Sequence, residues 1–316
     1  MLFYTALAEI PADFGPAAVT IGKFDGLHTG HRRVLEAVRA AAAAQGLVST
    51  VLTFDRNPLS VLAPERCPDA LVSNRQKREL LAEAGIDATV MLTFDREFSR
   101  QSAERFVRDI LVSALHARIV FVGADFRFGA RGTGNVALLQ QLGVELGFEV
   151  RIIEAMKSEG TRRVSATWIR ELLLDGRVET AAQLLGRAPT VRGVVVRGEQ
   201  RGRMLGFPTA NLSPQLEGFI PADGVYAGWL TLDGQNLPAA ISVGNNPTFT
   251  GVPERQVEAH VLGRDLDLYD REVQVAFVSR IRGMEKFDGV EALIDQIGRD
   301  VAEARRMLGL PPKAAQ

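Results

Sequence analysis

The first half of the chain alternates short, almost continuously apolar runs with amphipathic stretches, and this alternation constrains the fold more than any other feature. The apolar runs predict strands at residues 19–22, 47–54, 88–92, 118–123 and 148–153. The stretches between them predict helices at residues 31–44, 75–84, 103–115 and 135–147. Strands that are apolar along their whole length are typical of a parallel sheet covered on both faces. The pattern therefore predicts a Rossmann-like α/β domain that binds ligands at the carboxyl ends of its strands.

The second half has a different pattern, in which short apolar runs are separated by Gly, Pro, Asn and Asp. Antiparallel strands are predicted at residues 225–232, 239–243, 256–262 and 272–279, with a hairpin turn at Asp233-Gly234. Strands at this spacing indicate a small β-barrel, and an apolar stripe along residues 290–304 predicts a tail helix packed on it. Helical stretches at 168–175 and 179–185 precede the change of pattern. We therefore expect two domains, residues 1–185 and 186–316.

Composition and charge exclude several classes of protein. The 37 basic and 38 acidic side chains give a formal charge of -1, whereas nucleic-acid-binding proteins need a basic surface. The single cysteine, Cys67, excludes an internal disulfide and a cysteine-rich zinc site. No apolar run approaches the roughly 20 residues of a membrane span, and the N-terminus lacks the pattern of a signal peptide. We therefore expect a cytoplasmic protein with neither nucleic acid nor membrane as a partner.

A segment rich in glycine and histidine follows the first predicted strand and opens the first predicted helix. It contains Gly22, Phe24, His28, Gly30 and His31, and two of the four histidines of the chain lie three positions apart there. Glycines allow the backbone to approach a ligand, and a helix N-terminus attracts anions. Two imidazoles at such a place can stabilise the phosphate oxygens of a transition state. The alternative is a glycine-rich turn that carries two surface histidines.

Two further segments end at the same predicted edge of the sheet. Pro58 follows the second strand and can form the wall of a pocket for a planar ligand, although such a loop is more often an ordinary turn. Asp125, Phe126 and Phe128 follow the fourth strand, where two aromatic rings and a carboxylate can stack on and orient an aromatic ligand. The alternative for this segment is a loop anchored by core aromatic residues.

Hydroxyl and guanidinium groups are concentrated just before the last helix of the first half. Side chains with such groups can bind a triphosphate, and the candidates here are Arg163, Ser165, Thr167 and Arg170. A helix cap explains Ser165 alone, so the cluster and not the single serine makes this segment a candidate phosphate site.

The densest pattern of the second half is a glycine-spaced basic segment followed by Pro-Thr-Ala-Asn. This segment predicts a flexible loop that can fold over phosphates and contains Gly198, Gly202 and Arg203. The alternative is a solvated hairpin loop. Thr209 and Asn211 offer hard oxygen ligands of the kind that Mg²⁺ accepts.

Glu258 is the one carboxylate in the apolar strand predicted at residues 256–262. Such a carboxylate is either the general base for a substrate hydroxyl or half of a structural pair. The pattern alone favours the structural interpretation.

These segments together resemble the family of bacterial bifunctional riboflavin kinase/FMN adenylyltransferases, also called bacterial FAD synthetases. The resemblance in the first half rests on the segments GxFDGxHxGH, TFxxxP, VGxDFxFG and SxTxIR. In the second half it rests on GRxLGFPTANL, PxxGVY at 221–226, VGxxPTF at 243–249 and VExH at 257–260. The similarity covers residues 20–305, and PTAN within its glycine frame is highly specific.

The resemblance implies that the first domain transfers an adenylyl group. The phosphate of FMN would attack the α-phosphorus of ATP, which releases pyrophosphate and forms FAD. The implied catalytic residues are His28 and His31. The implied ATP ligands are Gly22, Phe24, Gly30, Arg163, Ser165, Thr167 and Arg170, and the implied flavin contacts are Pro58, Asp125, Phe126 and Phe128.

For the second domain the resemblance implies phosphorylation of the ribityl 5′-hydroxyl of riboflavin. Glu258 would be the base, and Arg282 is a further candidate for the riboflavin pocket. Thr209 and Asn211 would bind magnesium and ATP. The implied nucleotide loop contains Gly198, Gly202 and Arg203. Mg²⁺ would be the cofactor, ATP the co-substrate, and riboflavin, FMN and FAD the remaining partners.

Two positions depart from the pattern of the family. Ala166 stands where a second serine is common, and Ala130 stands where a lysine is common. Losing one hydrogen bond to a charged group costs about 1.5–3 kcal/mol. The alternative function is therefore a riboflavin kinase with weakened or lost adenylyltransferase activity, but the intact histidine pair leads us to expect both activities.

Overall fold

Two units, one built on a parallel sheet and the other on a closed barrel, make up the computed structural model of the chain. The structure describes residues 1–154, 162–198, 201–244 and 255–311. The first unit is Met1–Ser165 and the second is Ala166–Gln316. The boundary expected after Leu185 lies within the second unit, and as a boundary between functional domains it stays a prediction.

The described part of the first unit contains six strands. These are Leu2–Tyr4 (β1), Ala17–Ile21 (β2), Val48–Phe54 (β3), Ala88–Leu92 (β4), Ala117–Gly123 (β5) and Glu149–Ile153 (β6). They pair in the order β1-β4-β3-β2-β5-β6, and every pair is parallel. The chain order reverses between β2 and β5, which makes the carboxyl ends of these two strands the switch point at which open α/β sheets bind ligands.

Continuous apolarity in the strands follows from burial on both faces of this sheet. Val19 packs in a core with Ile110 and Leu139, whereas its neighbour Ala18 packs in a second core with Val38. Successive side chains of a strand point to opposite faces, so both faces of β2 need apolar residues. The first strand, Leu2–Tyr4, was not predicted because it is a three-residue, partly exposed edge strand.

The first unit has helices in each of the four stretches where the sequence predicts them, and one further short α-helix, at residues 59–62, was not predicted. The α-helices are Thr29–Gln45 (α1), Leu59–Leu62 (α2), Asn74–Glu83 (α3), Ala103–Arg105 (α4) and Val136–Leu146 (α5). The helix α4 continues as a π-helical segment, Phe106–Ala114. The prediction of one helix over 103–115 thus misses the π-helical winding, because apolar spacing does not distinguish the two hydrogen-bond patterns over so short a segment.

The described part of the second unit contains a closed antiparallel barrel. Its strands are Thr190–Val196 (β7), Ala210–Leu212 (β8), Gly224–Leu232 (β9), Gln235–Gly244 (β10), Gln256–Val261 (β11) and Glu272–Arg282 (β12). They close in the order β10-β11-β8-β7-β12-β9. On β10 the buried residues alternate with partly buried ones, as expected for a barrel with one apolar face per strand. The predicted fold class, a parallel-sheet domain followed by a small barrel, is confirmed.

The described helices of the second unit precede, interrupt and follow the barrel strands. They are Ala166–Leu174 (α6), Val178–Leu185 (α7), Arg201–Met204 (α8) and the predicted tail helix, Val290–Met307 (α9). The tail helix contributes Ala304 to a core with Ala227 and Leu262. On α7 the Glu179 carboxylate accepts hydrogen bonds from the Ser279 hydroxyl at 2.5 Å and the Arg280 amide at 2.9 Å. These contacts attach α7 to β12, and the Ala222 amide donates to the Leu173 carbonyl of α6 at 2.8 Å, so both helices belong to the second unit.

Within the residues that the structure describes, no helix has both the length and the apolarity that crossing a bilayer requires.

Candidate active sites

The histidine segment forms a tight turn between β2 and α1, which we call the histidine turn (residues 22–31). Phe24, Gly26 and Leu27 adopt positive φ angles, and the chain then enters α1 with His28 as its N-cap. The His28 Nδ1 accepts a hydrogen bond from the His31 amide at 3.3 Å. The two imidazole rings stack with centroids 3.7 Å apart and planes 14° apart. The predicted pairing of these histidines at a helix N-terminus is thus present.

The His31 imidazole lies in an enclosed environment that disfavours its charged form. Its Nδ1 is buried and has no hydrogen-bond partner among the described residues. Burial lowers the pKa of His31 well below the usual 6.5, and the charges of His28, Arg163 and Lys77 lower that pKa further. The imidazole is therefore neutral at neutral pH and can donate one hydrogen bond to an approaching anion.

We expect the lowered pKa of His31 to make the protein less stable in mild acid. The unfolded chain binds a proton on this residue near pH 6.5, and the folded chain does so only at lower pH. The free energy of unfolding should therefore fall as the pH drops below about 6.5 and be insensitive to this group above that. Urea unfolding at a series of pH values should show a weaker acid dependence for His31→Asn than for the unchanged protein. An equal dependence in both proteins would contradict the burial of a neutral imidazole.

Aromatic side chains line a cavity at the carboxyl edge of the sheet, which we call the aromatic cavity. Its wall includes Phe54, Pro58, Phe94, Phe98, Phe126 and Phe128. The Phe126 and Phe128 rings stack with centroids 5.4 Å apart and planes 16° apart. The structure therefore brings together three of the four predicted flavin contacts, Pro58, Phe126 and Phe128. Ala130, at the position where a lysine is common in the family, lines the same cavity.

Several residues that line this cavity, among them Phe54, Phe94 and Phe98, were missed by the sequence analysis. Phe54 ends β3, whereas Phe94 and Phe98 follow β4. A signal was present, because the pentapeptide Leu-Thr-Phe-Asp-Arg occurs at 52–56 and again at 92–96. Since β3 and β4 are parallel neighbours, the two copies bring their phenylalanines to the same edge, with ring centroids 5.3 Å apart.

Asp125, the fourth predicted flavin contact, forms an ion pair with a predicted ATP ligand. The Arg163 guanidinium donates to the Asp125 carboxylate at 2.7 Å, and this hydrogen bond lowers the pKa of Asp125. Ser165 lies two residues later in the same unit. Thr167 and Arg170 lie on α6, in the second unit, where Thr167 is exposed and Arg170 is buried.

In the barrel, strand register brings the predicted base next to the predicted metal ligands. Glu258 on β11 lies directly opposite Asn211 on β8. The Thr209 hydroxyl is 3.5 Å from the Glu258 carboxylate, and the Asn211 amide donates to the Thr209 carbonyl at 3.3 Å. Glu258 is half-buried and lines a cavity, so a ligand in that cavity can reach its carboxylate.

Two cavities meet at Thr209 and Asn211, which line both of them. The first, which we call the apolar cavity, also includes Glu258, Arg282 and the side chains Val225, Ile241, Phe287, Leu293 and Ile297. The second, which we call the polar cavity, also includes Arg203, Arg264, Asp265, Asp267 and Tyr269. An apolar planar ligand and a charged ligand could thus lie on either side of the same two oxygen donors.

The glycine-spaced loop closes against these donors. A Cβ atom on Gly198 would lie 2.8 Å from the Asn211 side chain, and one on Gly202 would lie 2.5 Å from the Phe207 carbonyl oxygen. Both positions therefore need glycine for a close approach. Arg203 forms a 3.8 Å ion pair with Asp265 across the polar cavity. Residues 199 and 200 of this loop, and 245–249 of the predicted VGxxPTF segment, lie outside the described residues.

Arg282, the further candidate for the riboflavin pocket, lines the apolar cavity and is held there by a residue that the sequence analysis missed. The Asp300 carboxylate, 4% exposed on α9, accepts hydrogen bonds from Arg282 Nε at 2.9 Å and Nη2 at 2.7 Å. Gln296 donates to the same carboxylate at 2.8 Å. The tail helix therefore fixes the guanidinium at the cavity as well as covering the barrel.

The donors in the barrel suit a magnesium ion that also binds a nucleotide. Within the described part of the chain, no cluster of three or more His, Cys, Asp or Glu residues is placed to hold a metal by itself. The hydroxyl of Thr209, the amide oxygen of Asn211 and the neighbouring carboxylate of Glu258 are hard oxygen donors. Mg²⁺ prefers such oxygens and takes its remaining ligands from phosphates and water, so the residues present fit this ion.

Comparison with known proteins matches both units. Residues 10–168 match the family described as FAD synthetase, and residues 185–308 match the family described as riboflavin kinase. The chain is 38% identical over 297 residues to the bifunctional riboflavin kinase/FMN adenylyltransferase of Escherichia coli strain K12, with 94% of each chain covered. It is 36% identical over 288 residues to the protein of that name from Pseudomonas fluorescens, with 91% of this chain and 92% of the relative covered.

A solved structure from Streptococcus pneumoniae, described as a macrolide-efflux protein, matches with a TM-score of 0.85 and 32% identity. The match covers 96% of this chain and 98% of the other. It shows a shared fold, and the description as an efflux protein is said of that protein alone. With both family matches and relatives above 30% identity over nearly the whole length, the chain belongs to the family of bifunctional riboflavin kinase/FMN adenylyltransferases.

Proposed function

We propose that this protein makes FAD from riboflavin in two ATP-dependent steps. Residues 186–316 convert riboflavin and ATP to FMN and ADP, and residues 1–185 convert FMN and a second ATP to FAD and pyrophosphate. The observation that carries the proposal is that each unit pairs an apolar cavity with candidate phosphate ligands. In the first unit the aromatic cavity includes Ile21, the residue before the histidine turn, and in the second the apolar and polar cavities share Thr209 and Asn211. The partners are small molecules, and because both steps consume ATP we place them in the cytoplasm.

In the kinase step, the apolar cavity holds the isoalloxazine ring and the polar cavity holds ATP. The Glu258 carboxylate takes the proton of the ribityl 5′-hydroxyl while its oxygen attacks the γ-phosphorus. The bond from the γ-phosphorus to the bridging oxygen breaks, and ADP leaves with the electron pair. Thr209 and Asn211 are the proposed ligands of Mg²⁺, which neutralises phosphate charge when bound. Arg282 contacts riboflavin, and Gly198, Gly202 and Arg203 enclose the nucleotide.

In the adenylyl step, a phosphate oxygen of FMN attacks the α-phosphorus of ATP and pyrophosphate leaves. His28 and His31 donate hydrogen bonds to the oxygens that gain charge in the transition state. The flavin ring lies in the aromatic cavity against Pro58, Phe126 and Phe128, with Asp125 at its edge. The proposed ATP ligands within the first unit are Gly22, Phe24, Gly30, Arg163 and Ser165, and the pattern of the family adds Thr167 and Arg170.

An end-point assay tests the proposal directly. The purified protein is incubated with riboflavin, ATP and Mg²⁺, and the flavins are separated by chromatography. We expect FMN to form first and FAD to follow. Formation of FMN without FAD, also when FMN is supplied, would support the alternative in which Ala130 and Ala166 have weakened the adenylyltransferase. Formation of neither product would overturn the proposed function.

Removing the Thr209 hydroxyl should weaken the kinase step through the metal and its nucleotide. Thr209→Val keeps the shape of the side chain, and because it loses an oxygen beside charged groups we expect kcat/KM for FMN formation to fall about tenfold to a hundredfold. The concentration of Mg²⁺ needed for half-maximal rate should rise. Thr209→Ser is the matched control and should retain most of the activity. An unchanged Mg²⁺ dependence in Thr209→Val would exclude this residue as a metal ligand.

A further inference from the structure

Lys77 is a buried cation in the first unit that neither proposed step uses. It lies on α3 and is only 7% exposed. Its Nζ donates a hydrogen bond to the backbone oxygen of Phe54 at 3.0 Å. An ammonium group loses much of its hydration when it is buried, so its retention in this position needs a reason.

The position of Lys77 connects two segments that carry the proposed adenylyl site. The carbonyl that it binds belongs to Phe54, the last residue of β3, whose ring lines the aromatic cavity. On the other side, α3 packs against the histidine turn, since Leu81 shares a core with Phe24 and Leu27. The segment leading into α3 is attached to the same turn, because the Leu71 amide donates to the Asp25 carboxylate at 2.8 Å.

Burial and nearby charges act together on the protonation of Lys77 and His31. Burial lowers the pKa of Lys77, while the carboxylates of Asp25 and Asp55 act in the opposite direction and favour the ammonium form. Burial is the largest cause of the lowered pKa of His31, and the charges of His28, Arg163 and Lys77 lower that pKa further. Lys77 therefore acts on the imidazole through its charge, while it holds β3 through a hydrogen bond.

We propose that Lys77 is a positioning residue of the adenylyl step, which fixes the carboxyl end of β3 at the aromatic cavity and places a positive charge near the His31 imidazole. The inference rests on the proposed function of the first unit. It predicts two separable effects of the same ammonium group. Loss of the hydrogen bond to Phe54 should affect flavin binding, and loss of the charge should affect the protonation of His31.

The test uses the full-length protein with Lys77→Met, which removes the charge and keeps an unbranched side chain of similar length. We expect kcat/KM for FMN in FAD formation to fall about tenfold to a hundredfold, as for a lost hydrogen bond from a charged donor, with most of the change in KM. The His31 imidazole, followed by NMR, should titrate at higher pH than in the unchanged protein. Lys77→Arg, which keeps the charge, should leave that titration in place. Phosphorylation of riboflavin by the second unit should be unchanged and reports that the chain is folded.

The matched control is Arg78→Met, which removes an exposed cation from the next position of the same helix. It should change neither the saturation by FMN nor the titration of His31. The inference is overturned if Lys77→Met behaves as the unchanged protein in both measurements, or if it lowers both enzymatic activities equally. A failure of the proposed function would look different. The unchanged protein would then form no FAD, while the titration of His31 would still differ between the unchanged protein and Lys77→Met.

Discussion

Replacing His28 by asparagine is expected to lower the rate of FAD formation from FMN about 100- to 1000-fold, the usual cost of losing one transition-state hydrogen-bond donor. Asparagine is among the best N-cap residues, so it can replace the His28 Nδ1 as acceptor for the His31 amide and preserve the start of α1. The imidazole and its stacking on His31 are lost. The measurement is kcat for FAD formation with FMN and ATP supplied, and phosphorylation of riboflavin should be unaffected.

The control for this variant is His116→Asn. His116 is an exposed histidine of the same unit with a positive φ angle, which asparagine tolerates. We expect His116→Asn to make FAD at the normal rate. If His28→Asn did so as well, the stacked imidazoles would have no part in the transition state.

Replacing Glu258 by glutamine is expected to lower FMN formation about 100- to 10,000-fold, since general-base catalysis contributes that much. Glutamine has the shape of glutamate and can stay opposite Asn211, but it cannot accept the proton of the 5′-hydroxyl. The variant should still convert supplied FMN to FAD at the normal rate, because the histidine turn lies in the other unit. The rate of FMN formation from riboflavin is measured at saturating ATP and Mg²⁺.

Glu272→Gln provides the matched control, since Glu272 is an exposed carboxylate at the start of β12 in the same barrel. It should phosphorylate riboflavin normally. If the Glu258→Gln protein were fully active, Glu258 would not be the base. It would then be part of a structural pair, as its sequence pattern favours.

The architecture was predictable because apolar patterns report burial. Runs such as 88–92 are buried residue by residue in β4, and the alternation in 272–279 matches the inward and outward positions of β12. The type of a helix and the presence of very short strands were not predictable in the same way. The π-helical segment Phe106–Ala114 has the apolar spacing of an ordinary helix, and the three-residue strand Ala210–Leu212 is too short to show any period.

The candidate sites were predictable where the chemistry lies in one segment and not where it depends on pairing between segments. The histidine turn and the PTAN segment were each visible as motifs. The register that places Asn211 opposite Glu258 depends on the closure of the barrel, and no local signal in the sequence specifies it. Asp300 was missed for a similar reason, because its partner Arg282 lies on a strand 18 positions earlier and nothing in the helical pattern marks the pair.

The attachment of α6 and α7 to the barrel is a third feature that the pattern did not reveal. Their sequence continues the helical pattern of the first half, yet Glu179 and Asp175 bind Arg280 of β12. Contacts between residues about a hundred positions apart are set by tertiary packing. The local pattern of apolar and polar residues does not reveal them.

In the proposed function, one chain transfers two different phosphorus atoms of ATP to the flavin. The most direct measurement supplies riboflavin with ATP that is radiolabelled at either the α- or the γ-phosphorus and follows the label in the separated flavins. We expect label from the γ-phosphorus to enter FMN and to be retained in FAD, whereas label from the α-phosphorus should enter FAD and never FMN. Absence of γ-label from FMN, or of α-label from the flavin fraction, would contradict the proposed function.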